Sequence, residues 1–467
     1  MARSLARVLV PACAVLACVL VAGPASAQRR PFPQHKGYAH GFVPAGITNE
    51  MVQSSYRNWK NRYLMNDCGE GTYRVDFDSP HGSTVSEGMG YGMVIAAYMG
   101  ERDVFDGLWK FVQKNLDKDG LMGWKVTCKG FDESVGGSGS ATDGDADIGF
   151  ALIAAIDQWG DAYRQTALDY LATLKHVDFT TCPDTHRNMA KMGNWGGGCD
   201  HSNTSYWMPG YFRVFAELTK DDYWSKAADD AIALWLSNRN AKTGLVADEV
   251  DGHGVTVKGK GHVDYNGCRI PWRAALDYLW YGTQGAKDLD DRMTDWATSV
   301  GIGNLVDGYE TDGKPTPNAK YRQLNVWVGG WTCGAMTKSQ ASVDGFAADF
   351  ARIADDNGSY YGSSLRTLYL LMLSGNFWKP GGLPPLAAAA PAPTPSVAPS
   401  ASPPDAGPPP GVPVDPRHPL DFPPPPPPRG ACGCDVVGSN GAGGDLWLAV
   451  AATGLAFGVR RRRPDDA

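Results

Sequence analysis

Helical periodicity recurs through most of this 467-residue chain and limits the folds that are open to it. In residues 145–159, apolar side chains from Ile148 to Trp159 return every three or four positions and form one stripe. Similar patterns predict eleven helices, over residues 49–63, 87–100, 103–116, 145–159, 162–174, 205–218, 221–237, 271–282, 288–299, 343–354 and 359–374. Alternating strand patterns are not convincing anywhere between them. Eleven or twelve helices around one core predict an all-α toroid of paired helices.

The two ends of the chain differ in composition from this helical region. Residues 1–27 carry Arg3 and Arg7, an apolar run and a small-residue site at positions 25–27, which is the pattern of a cleaved secretory signal. Residues 380–429 are mostly Pro, Ala and Ser, and they predict a stiff linker because they cannot bury enough surface to offset their ordering entropy. We therefore expect one folded domain over residues 28–379.

Residues 430–467 form a hydrophobic tail that contains cysteine. Its apolar run over residues 446–459 is shorter than the roughly 20 residues of a membrane-spanning helix, and arginines follow it at once. The tail resembles the C-terminal sorting signals of myxobacterial surface proteins. That resemblance implies outer-membrane anchoring near Cys432 or Cys434, so we expect a secreted or cell-surface protein. The alternative is a plain membrane tail.

Charge and cysteine content exclude some classes of function. A formal net charge of -7 argues against a nucleic-acid partner. Because the histidines show no ligand spacing and the chain has no CxxC pair, we expect no metal and no cofactor. We also expect a monomer. The folded part contains Cys68, Cys128, Cys182, Cys199, Cys268 and Cys333. Six cysteines permit three disulfides in an exported chain, and the local pair Cys182–Cys199 is the one we predict.

Three aspartates, Asp143, Asp145 and Asp147, alternate at the start of the fourth predicted helix. One aspartate there gains about 0.3 to 1 kcal/mol from free backbone N–H groups and the helix dipole. The other two lie close enough to repel it, so they cost stability unless solvent, a cation or a substrate compensates. A helix cap with solvated neighbours and a ligand site both account for the pattern.

Glu87 begins the second predicted helix and is followed by Gly88, Gly90 and Gly92. Each glycine costs about 1 kcal/mol relative to alanine inside a helix, so something must approach this backbone closely. That neighbour is either another helix or a substrate pressed against the helix terminus.

Aromatic residues near Gly, Asn or Pro are predicted to lie close to loops. They are Trp195, Tyr206, Trp207, Tyr211, Trp272, Trp327 and Trp331. Aromatic faces beside carboxylates are typical of carbohydrate clefts, because sugar rings stack on the faces while their hydroxyls bind the acids. The alternative for each tryptophan is a place in the core.

Five segments in order resemble the successive blocks of glycoside hydrolase family 8. They are SEGMGYGM at 86–93, ATDGDADI at 141–148, SYWMPGYFRVFAELT at 205–219, YNGCRIPWR at 265–273 and YYGSSLRTLYLLMLSGNF at 360–377. The resemblance implies an (α/α)6 barrel with the substrate across one end. It also implies an inverting, endo-acting hydrolase of β-1,4-linked polysaccharides, most often cellulose and related glucans, with chitosan or xylan in some members.

The matching positions carry expected roles. Glu87 takes the place of the general acid, and Asp143 that of the aspartate that binds the sugar at the cleavage point, with Asp145 beside it. Inversion needs a second, ionised carboxylate across the sugar, roughly 6.5 to 9.5 Å from the first. Further expected substrate-binding residues are Trp195, Tyr206, Trp207, Tyr211, Asp264, Asn266, Arg269 and Trp272.

Asn266 departs from the family pattern, because many members have the aspartate that serves as general base at this position. An amide cannot accept the proton. The branch of the family with this asparagine uses a glutamate on a preceding inserted loop. The loop before Asn266 offers Glu249, which we favour, then Asp264, with Asp248 and Asp251 as further candidates.

The sequence thus predicts an exported endo-β-1,4-glucanase. One alternative is a chitosanase of the same family, whose polycationic substrate would be attracted to an acidic cleft. Another is a surface glycan-binding protein that has lost catalysis, given the asparagine at position 266.

Overall fold

Two rings of helices form the part of the chain that the structure describes. The computed structural model describes residues 28–34, 37–77, 82–322, 324–355 and 359–381, so the predicted signal, nearly all of the linker and the tail with Cys432 and Cys434 lie outside the described residues. The helices are α1 (Asn49–Tyr63), α2 (Ser86–Met99), α3 (Arg102–Lys114), α4 (Thr142–Trp159), α5 (Arg164–Asp178), α6 (Pro209–Thr219), α7 (Asp222–Asn238), α8 (Ile270–Tyr281), α9 (Gln284–Val300), α10 (Asn325–Ala335), α11 (Gln340–Phe350) and α12 (Tyr360–Leu373).

The even-numbered helices close the inner ring. Each packs on the next in the order α2, α4, α6, α8, α10 and α12, and α12 returns to α2. Every inner helix also packs on an outer one, as in the pairs α2–α3 and α4–α5, while α1 packs on α12. The inner α4 is buried along its whole length, whereas the outer α3 buries only one face. The prediction of an (α/α)6 barrel is confirmed.

Short strands lie in the connections between the helices. They are β1 (Leu64–Met65), β2 (Arg74–Val75), β3 (Thr84–Val85), β4 (Lys125–Thr127), β5 (Gly130–Phe131), β6 (Phe179–Thr181), β7 (Asn188–Ala190), β8 (Ser202–Asn203), β9 (Glu249–Val250), β10 (His262–Val263) and β11 (Tyr309–Glu310). All pairings among them are antiparallel, and β3, β4 and β5 form one three-stranded sheet. The β3 strand leads directly into α2, and β9 pairs with β8, so these hairpins fix the loops at one end of the barrel.

One helix was missed by the sequence analysis, which placed Trp327 and Trp331 near loops. Both lie buried in α10. Its sequence, NVWVGGWTCGA, is poor in strong helix formers and contains adjacent glycines. A β-carbon at Gly329 would come within 2.4 Å of the Tyr369 ring, and one at Gly330 within 2.5 Å of the Cys268 carbonyl oxygen. Tertiary packing therefore decides this helix against its local propensity.

Close packing of α2 on α4 accounts for two of the glycines near Glu87. A β-carbon at Gly90 would lie 2.6 Å from the β-carbon of Asp147, and one at Gly144 would lie 2.6 Å from the backbone nitrogen of Glu87. A neighbouring helix, rather than a substrate, therefore requires the glycine at position 90. The same close approach brings the first turns of the two acid-bearing helices together.

Two disulfides hold the connecting segments. Cys182–Cys199 confirms the predicted local pair, and Cys68–Cys128 is the second. Cys268 and Cys333 are buried and free, so the described residues contain two of the three disulfides that the sequence would permit. Among the helices of the described ranges, none combines the length and the apolar character that crossing a membrane would demand.

Candidate active site

Glu87 is the second residue of α2, and its position is fixed from several sides. The strand β3 leads into the helix, and the Ser86 backbone N–H donates to the Trp124 carbonyl oxygen at 3.0 Å. Tyr360 donates its hydroxyl to Oε2 of Glu87 at 2.6 Å, and Tyr91 donates to Oε1 at 3.2 Å. The Glu87 side chain remains 12% exposed, so it is held by its neighbours and is still open to a ligand.

The environment of Glu87 favours its protonated form near neutral pH. Burial, which removes the carboxyl from water, raises the pKa of Glu87 most strongly, and the positive charge of Arg269 opposes this effect. The negative charge of Asp143 raises the pKa further, while the hydroxyls of Tyr360 and Tyr91 lower it. The result is a pKa of about 7. A carboxyl with such a pKa can hold a proton at neutral pH and release it in a reaction.

Arg269 connects the acids of α2 and α4. Its fully buried guanidinium donates to Glu87 at 2.5 Å and to Asp143 at 2.9 Å. It also donates to Ser205 Oγ at 2.7 Å and to the side-chain oxygen of Asn266 at 3.3 Å. Glu87, Asp143, Asn266 and Arg269, which the sequence analysis selected, therefore lie in one cluster at one end of the inner ring.

The three alternating aspartates have three different roles. Because α4 begins at Thr142, they all lie within the helix, and its N-cap residue, Ala141, makes no side-chain cap hydrogen bond. Asp143 accepts a hydrogen bond from the Gly144 backbone N–H at 2.9 Å, but all three aspartates are buried, so the expectation of solvated neighbours is wrong. Asp147 forms a buried ion pair with Arg273, with the shortest contact at 2.8 Å. Asp143 lies one turn before it and faces Arg269, whereas Asp145 points away from both.

Asp145 is a structural residue, and its expected role in substrate binding is wrong. It is fully buried, and its Oδ1 accepts hydrogen bonds from the Met122 backbone at 3.0 Å and from the Tyr170 hydroxyl at 2.5 Å. Burial, followed by the charge of Asp178, raises the pKa of Asp145 far above its usual value. Burial therefore favours the neutral form of this carboxyl and keeps it out of reach of a sugar.

The expected aromatic platform divides into exposed and buried members. Trp195 is 47% exposed, and its indole N–H donates to the Ser140 carbonyl oxygen at 3.0 Å. Tyr206 is partly buried, and the Arg269 guanidinium lies 5.7 Å from its ring centre. These two residues remain candidates for substrate contact.

The other three aromatic residues that were expected to bind substrate belong to the core, as Trp327 and Trp331 do, which corrects the sequence interpretation. Trp207 is 2% exposed and donates its indole N–H to Ser202. Tyr211 stacks on Phe150 with ring centres 3.6 Å apart. Trp272 is fully buried within α8. Their flanking Gly and Pro residues begin inner helices and do not mark loops at the surface.

Two of the four candidate bases have structural tasks. Asp248 is buried, and its Oδ1 accepts from the Gly267 backbone at 3.0 Å, which ties the loop to the turn that carries Asn266. Asp251 accepts from the backbone of His253 and Val255, both at 2.9 Å, and thereby shapes a tight turn. Asp248 is 2% exposed and Asp251 is partly exposed, and each carboxylate holds backbone groups of its loop in place.

Glu249 and Asp264 remain. Glu249 lies in β9 and forms an ion pair with Lys260 at 3.0 Å. Burial raises the pKa of Tyr206 first, and the charges of Asp143, Glu87 and Glu249 raise it further, so all three carboxylates act on one phenol. Glu249 is 4% exposed, and it pairs with Asn203 of β8, which accepts a hydrogen bond from the Ser205 hydroxyl. Ser205 accepts from Arg269, so Glu249 lies close to the cluster that contains Glu87.

Asp264 is part of a different network. Its Oδ2 lies 3.3 Å from Nε2 of His262, and its Oδ1 accepts from the Asn266 backbone at 3.3 Å. Burial opposes ionisation, but hydrogen bonds from His262 and Asp248 hold the pKa of Asp264 below its usual value. Ligand atoms of Asp248, His262 and Asp264 all lie within 4.8 Å of one another, which is close enough to hold a cation. The hydrogen bonds within the network already occupy these groups.

Sequence reasoning did not select Tyr360, Tyr91 or Trp124 for the site. Tyr91 follows Glu87 by four residues on a helix, so its place on the same face could have been inferred. Tyr360 lies at the start of the last resemblance block, but only the closure of the ring between α12 and α2 brings it to Glu87. Trp124 is partly buried beside Ser86, and a short β-connection with no helical pattern places it there.

Comparisons with known proteins agree with this geometry. The family model described as glycosyl hydrolases family 8 matches residues 34–375. Endoglucanase 2 of Ruminiclostridium josui is 32% identical over 367 residues, which cover 75% of this chain and 78% of that protein. Endoglucanase A of Acetivibrio thermocellus is 32% identical over 390 residues, or 79% of each chain. The apo structure of a β-1,3-1,4-glucanase from Paenibacillus sp. X4 is 27% identical, covers 76% of this chain and 100% of its own, and superposes with a TM-score of 0.67.

Proposed function

The chain belongs to glycosyl hydrolases family 8, and from that premise we propose that it is an inverting endo-β-1,4-glucanase with Glu87 as its general acid. The observation that carries this proposal is the pKa of about 7 for a partly accessible Glu87 held beside Asp143 and Arg269. The relatives named endoglucanases support a β-glucan substrate.

In this mechanism the Glu87 carboxyl transfers its proton to the oxygen between two sugars as the glycosidic bond breaks. The carboxylate that forms is stabilised by donors from Arg269, Tyr360 and Tyr91, which are already in place before the reaction. Asp143 also binds the Arg269 guanidinium, so the positive charge of Arg269 is divided between the two carboxyl groups. We assign to Asp143 the binding of the sugar at the cleavage point.

The second requirement is a base that takes a proton from the attacking water. We assign this role to Glu249, because Lys260 provides a counter-charge for its carboxylate and because its charge acts on Tyr206 beside the Glu87 cluster. Asp264 is the weaker candidate, since its oxygens are used by His262, Asp248 and the Asn266 backbone. Attack from the face opposite the acid inverts the anomeric configuration.

The test compares the wild-type protein with E87Q and E249A on carboxymethylcellulose, soluble chitosan and xylan. New reducing ends and a rapid fall in viscosity on carboxymethylcellulose, both lost in E87Q, would support the proposal. Cleavage of chitosan alone would favour the chitosanase. Binding to glucan without new reducing ends would favour a glycan-binding protein and overturn the enzyme.

D264N separates the two candidate bases. If Glu249 is the base, E249A loses turnover on carboxymethylcellulose, while D264N keeps most of it. The opposite result would transfer the role to Asp264. Both variants retain Lys260 and His262, so the loop keeps its remaining charges.

We also propose that the protein works outside the cytoplasm, at the cell surface or in the medium. The two disulfides support this location, because such bonds persist in oxidising compartments. Fractionation of the producing cells tests it, with anchoring through the Cys432–Cys434 region as the finer question. Enzyme confined to the cytosolic fraction would contradict the proposal.

A further inference from the structure

The segment that follows Glu249 is attached to the loop between Cys182 and Cys199. The Gly252 backbone N–H donates to the Cys199 carbonyl oxygen at 2.7 Å, and the Arg187 guanidinium donates to the Gly252 carbonyl oxygen at 2.8 Å. The next residue is His253, whose exposed ring contacts Asp184 at 2.8 Å. Both backbone groups of Gly252 are thus bound by the disulfide-closed loop.

Gly252 also packs directly against the disulfide. A β-carbon at this position would lie 3.1 Å from Sγ of Cys182 and 3.3 Å from the Cys199 carbonyl oxygen. Cys182 is fully buried, so this contact has no solvent on its far side. The backbone of the base-bearing segment therefore packs on the Cys182 sulfur and on the Cys199 backbone.

The cross-link is the covalent constraint on Cys199, and it acts beside hydrogen bonds from the Met192 N–H to the Gly196 carbonyl oxygen at 3.0 Å and from the Gly198 N–H to the His201 carbonyl oxygen at 2.6 Å. Seventeen positions separate the two cysteines, and the part before Cys199 contains Gly196, Gly197 and Gly198 at φ values of 145°, 89° and 104°. Glycines have wide backbone freedom, so this stretch could readily change course once the disulfide is opened. The carbonyl that binds Gly252 would move with it.

Glu249 lies only three residues before this anchor. Glu249 also pairs with Asn203 where β9 lies beside β8. Asn203 accepts hydrogen bonds from the backbone N–H and the hydroxyl of Ser205. Ser205 in turn accepts from Arg269, which binds Glu87. One series of contacts therefore leads from the disulfide through Gly252 and Glu249 to the Glu87 cluster.

We propose that the Cys182–Cys199 disulfide is a positioning element for catalysis: through Gly252 it holds Glu249 at the place from which it activates water. This inference rests on the proposed role of Glu249. Opening the disulfide would displace Glu249 while the barrel, with its two helix rings, stays folded. Because a shift of about 1 Å in a reacting group can cost 10²-fold in rate, a tenfold or greater loss of kcat is expected.

The experiment compares C182S/C199S with C68S/C128S, which removes the other disulfide, and with G252A, which keeps both. The readouts are kcat and KM on a soluble β-1,4-glucan, the melting temperature, and recovery of turnover by sodium azide. Azide attacks the anomeric carbon without giving up a proton, so a C–N bond forms as the C–O bond breaks and the leaving oxygen takes its proton from Glu87. It can therefore replace water where the base is displaced, and the product is a glycosyl azide.

We expect C182S/C199S to lose at least tenfold in kcat at an unchanged KM and to regain turnover with azide, as E249A does. G252A should show the same behaviour in weaker form with its disulfide intact. Any loss in C68S/C128S should not respond to azide, because that disulfide joins the segment after α1 to the β4–β5 turn.

Two results would overturn the inference: full kcat in a folded C182S/C199S, or a loss that azide does not restore while it restores E249A. If C182S/C199S does not fold, G252A alone decides, and unchanged kcat in G252A contradicts the inference. Failure of the proposed function gives a different pattern, in which wild-type protein releases no reducing ends or E249A retains full activity.

Discussion

Tyr360, 273 residues after Glu87 in the chain, donates its hydroxyl to the Glu87 carboxyl at 2.6 Å. The first and last inner helices meet when the ring closes, and this contact lies at their junction. The hydrogen bond stabilises the ionised form of the acid, so it counteracts the effect of burial on the pKa. The barrel therefore sets the acid strength of Glu87 as well as its position.

Y360F should move the basic limb of the pH profile of kcat/KM to higher pH. This limb reports the loss of the proton from Glu87, whose pKa is about 7. Removing a donor that lowers this pKa raises it, by up to about one unit for a hydrogen bond of about 1.5 kcal/mol to a charged group. Y361F is the control, because the Tyr361 hydroxyl donates to the Tyr265 carbonyl oxygen. A shift to lower pH, or equal shifts in both variants, would contradict the account.

The stability of E87Q relative to the wild type should increase as the pH rises. The pKa of Glu87 is raised from 4.5 to about 7, so between these values the unfolded chain has lost a proton that the folded protein keeps. Wild-type stability therefore falls over this interval, by about 3 kcal/mol at most, while glutamine does not titrate. Thermal melts of both proteins at pH 5 and pH 8 measure the difference. A difference in melting temperature that does not depend on pH would count against burial as the cause.

D145N should retain activity, whereas D143N should lose it. Asp145 is buried, and burial together with the charge of Asp178 keeps it protonated, so an amide of the same shape can accept the hydrogen bonds from Met122 and Tyr170. Asp143 instead shares Arg269 with Glu87. Initial rates on carboxymethylcellulose test the pair. A strong loss of kcat in a folded D145N would restore the functional role that the buried position argues against.

W195A and W207A should separate substrate binding from stability. Trp195 is 47% exposed and Trp207 is 2% exposed. W195A should raise KM for long oligosaccharides about three- to tenfold through the loss of one stacking contact, with little change in melting temperature. W207A should lower the free energy of unfolding by about 3 to 5 kcal/mol. A lowered melting temperature of W195A together with an unchanged KM would contradict this account.

Helical periodicity predicted the architecture because it depends only on residues that are near one another in the sequence. Eleven of the twelve helices of the described residues follow from it. The exception is α10, because Gly329 and Gly330 allow close packing against residues that are distant in the chain. The acids at positions 87 and 143 could be identified from motifs. The partners of the two aspartates could not, since Asp143 binds Arg269 whereas Asp145 binds Met122 and Tyr170. Burial could not be predicted either, and it distinguishes Trp195 from Trp207. Tyr360 and the Gly252 anchor depend on contacts between remote segments, which no local pattern contains.

The most direct test of Glu87 as the proton donor is the leaving-group dependence of E87Q. Its kcat/KM relative to wild type is measured on a soluble β-1,4-glucan and on β-cellobiosyl fluoride, whose fluoride departs with little need for a proton. We predict a loss of about 10³-fold on the glucan and a small loss on the fluoride. Equal losses on both substrates, or full activity on the glucan, would contradict the assignment of Glu87 as the general acid.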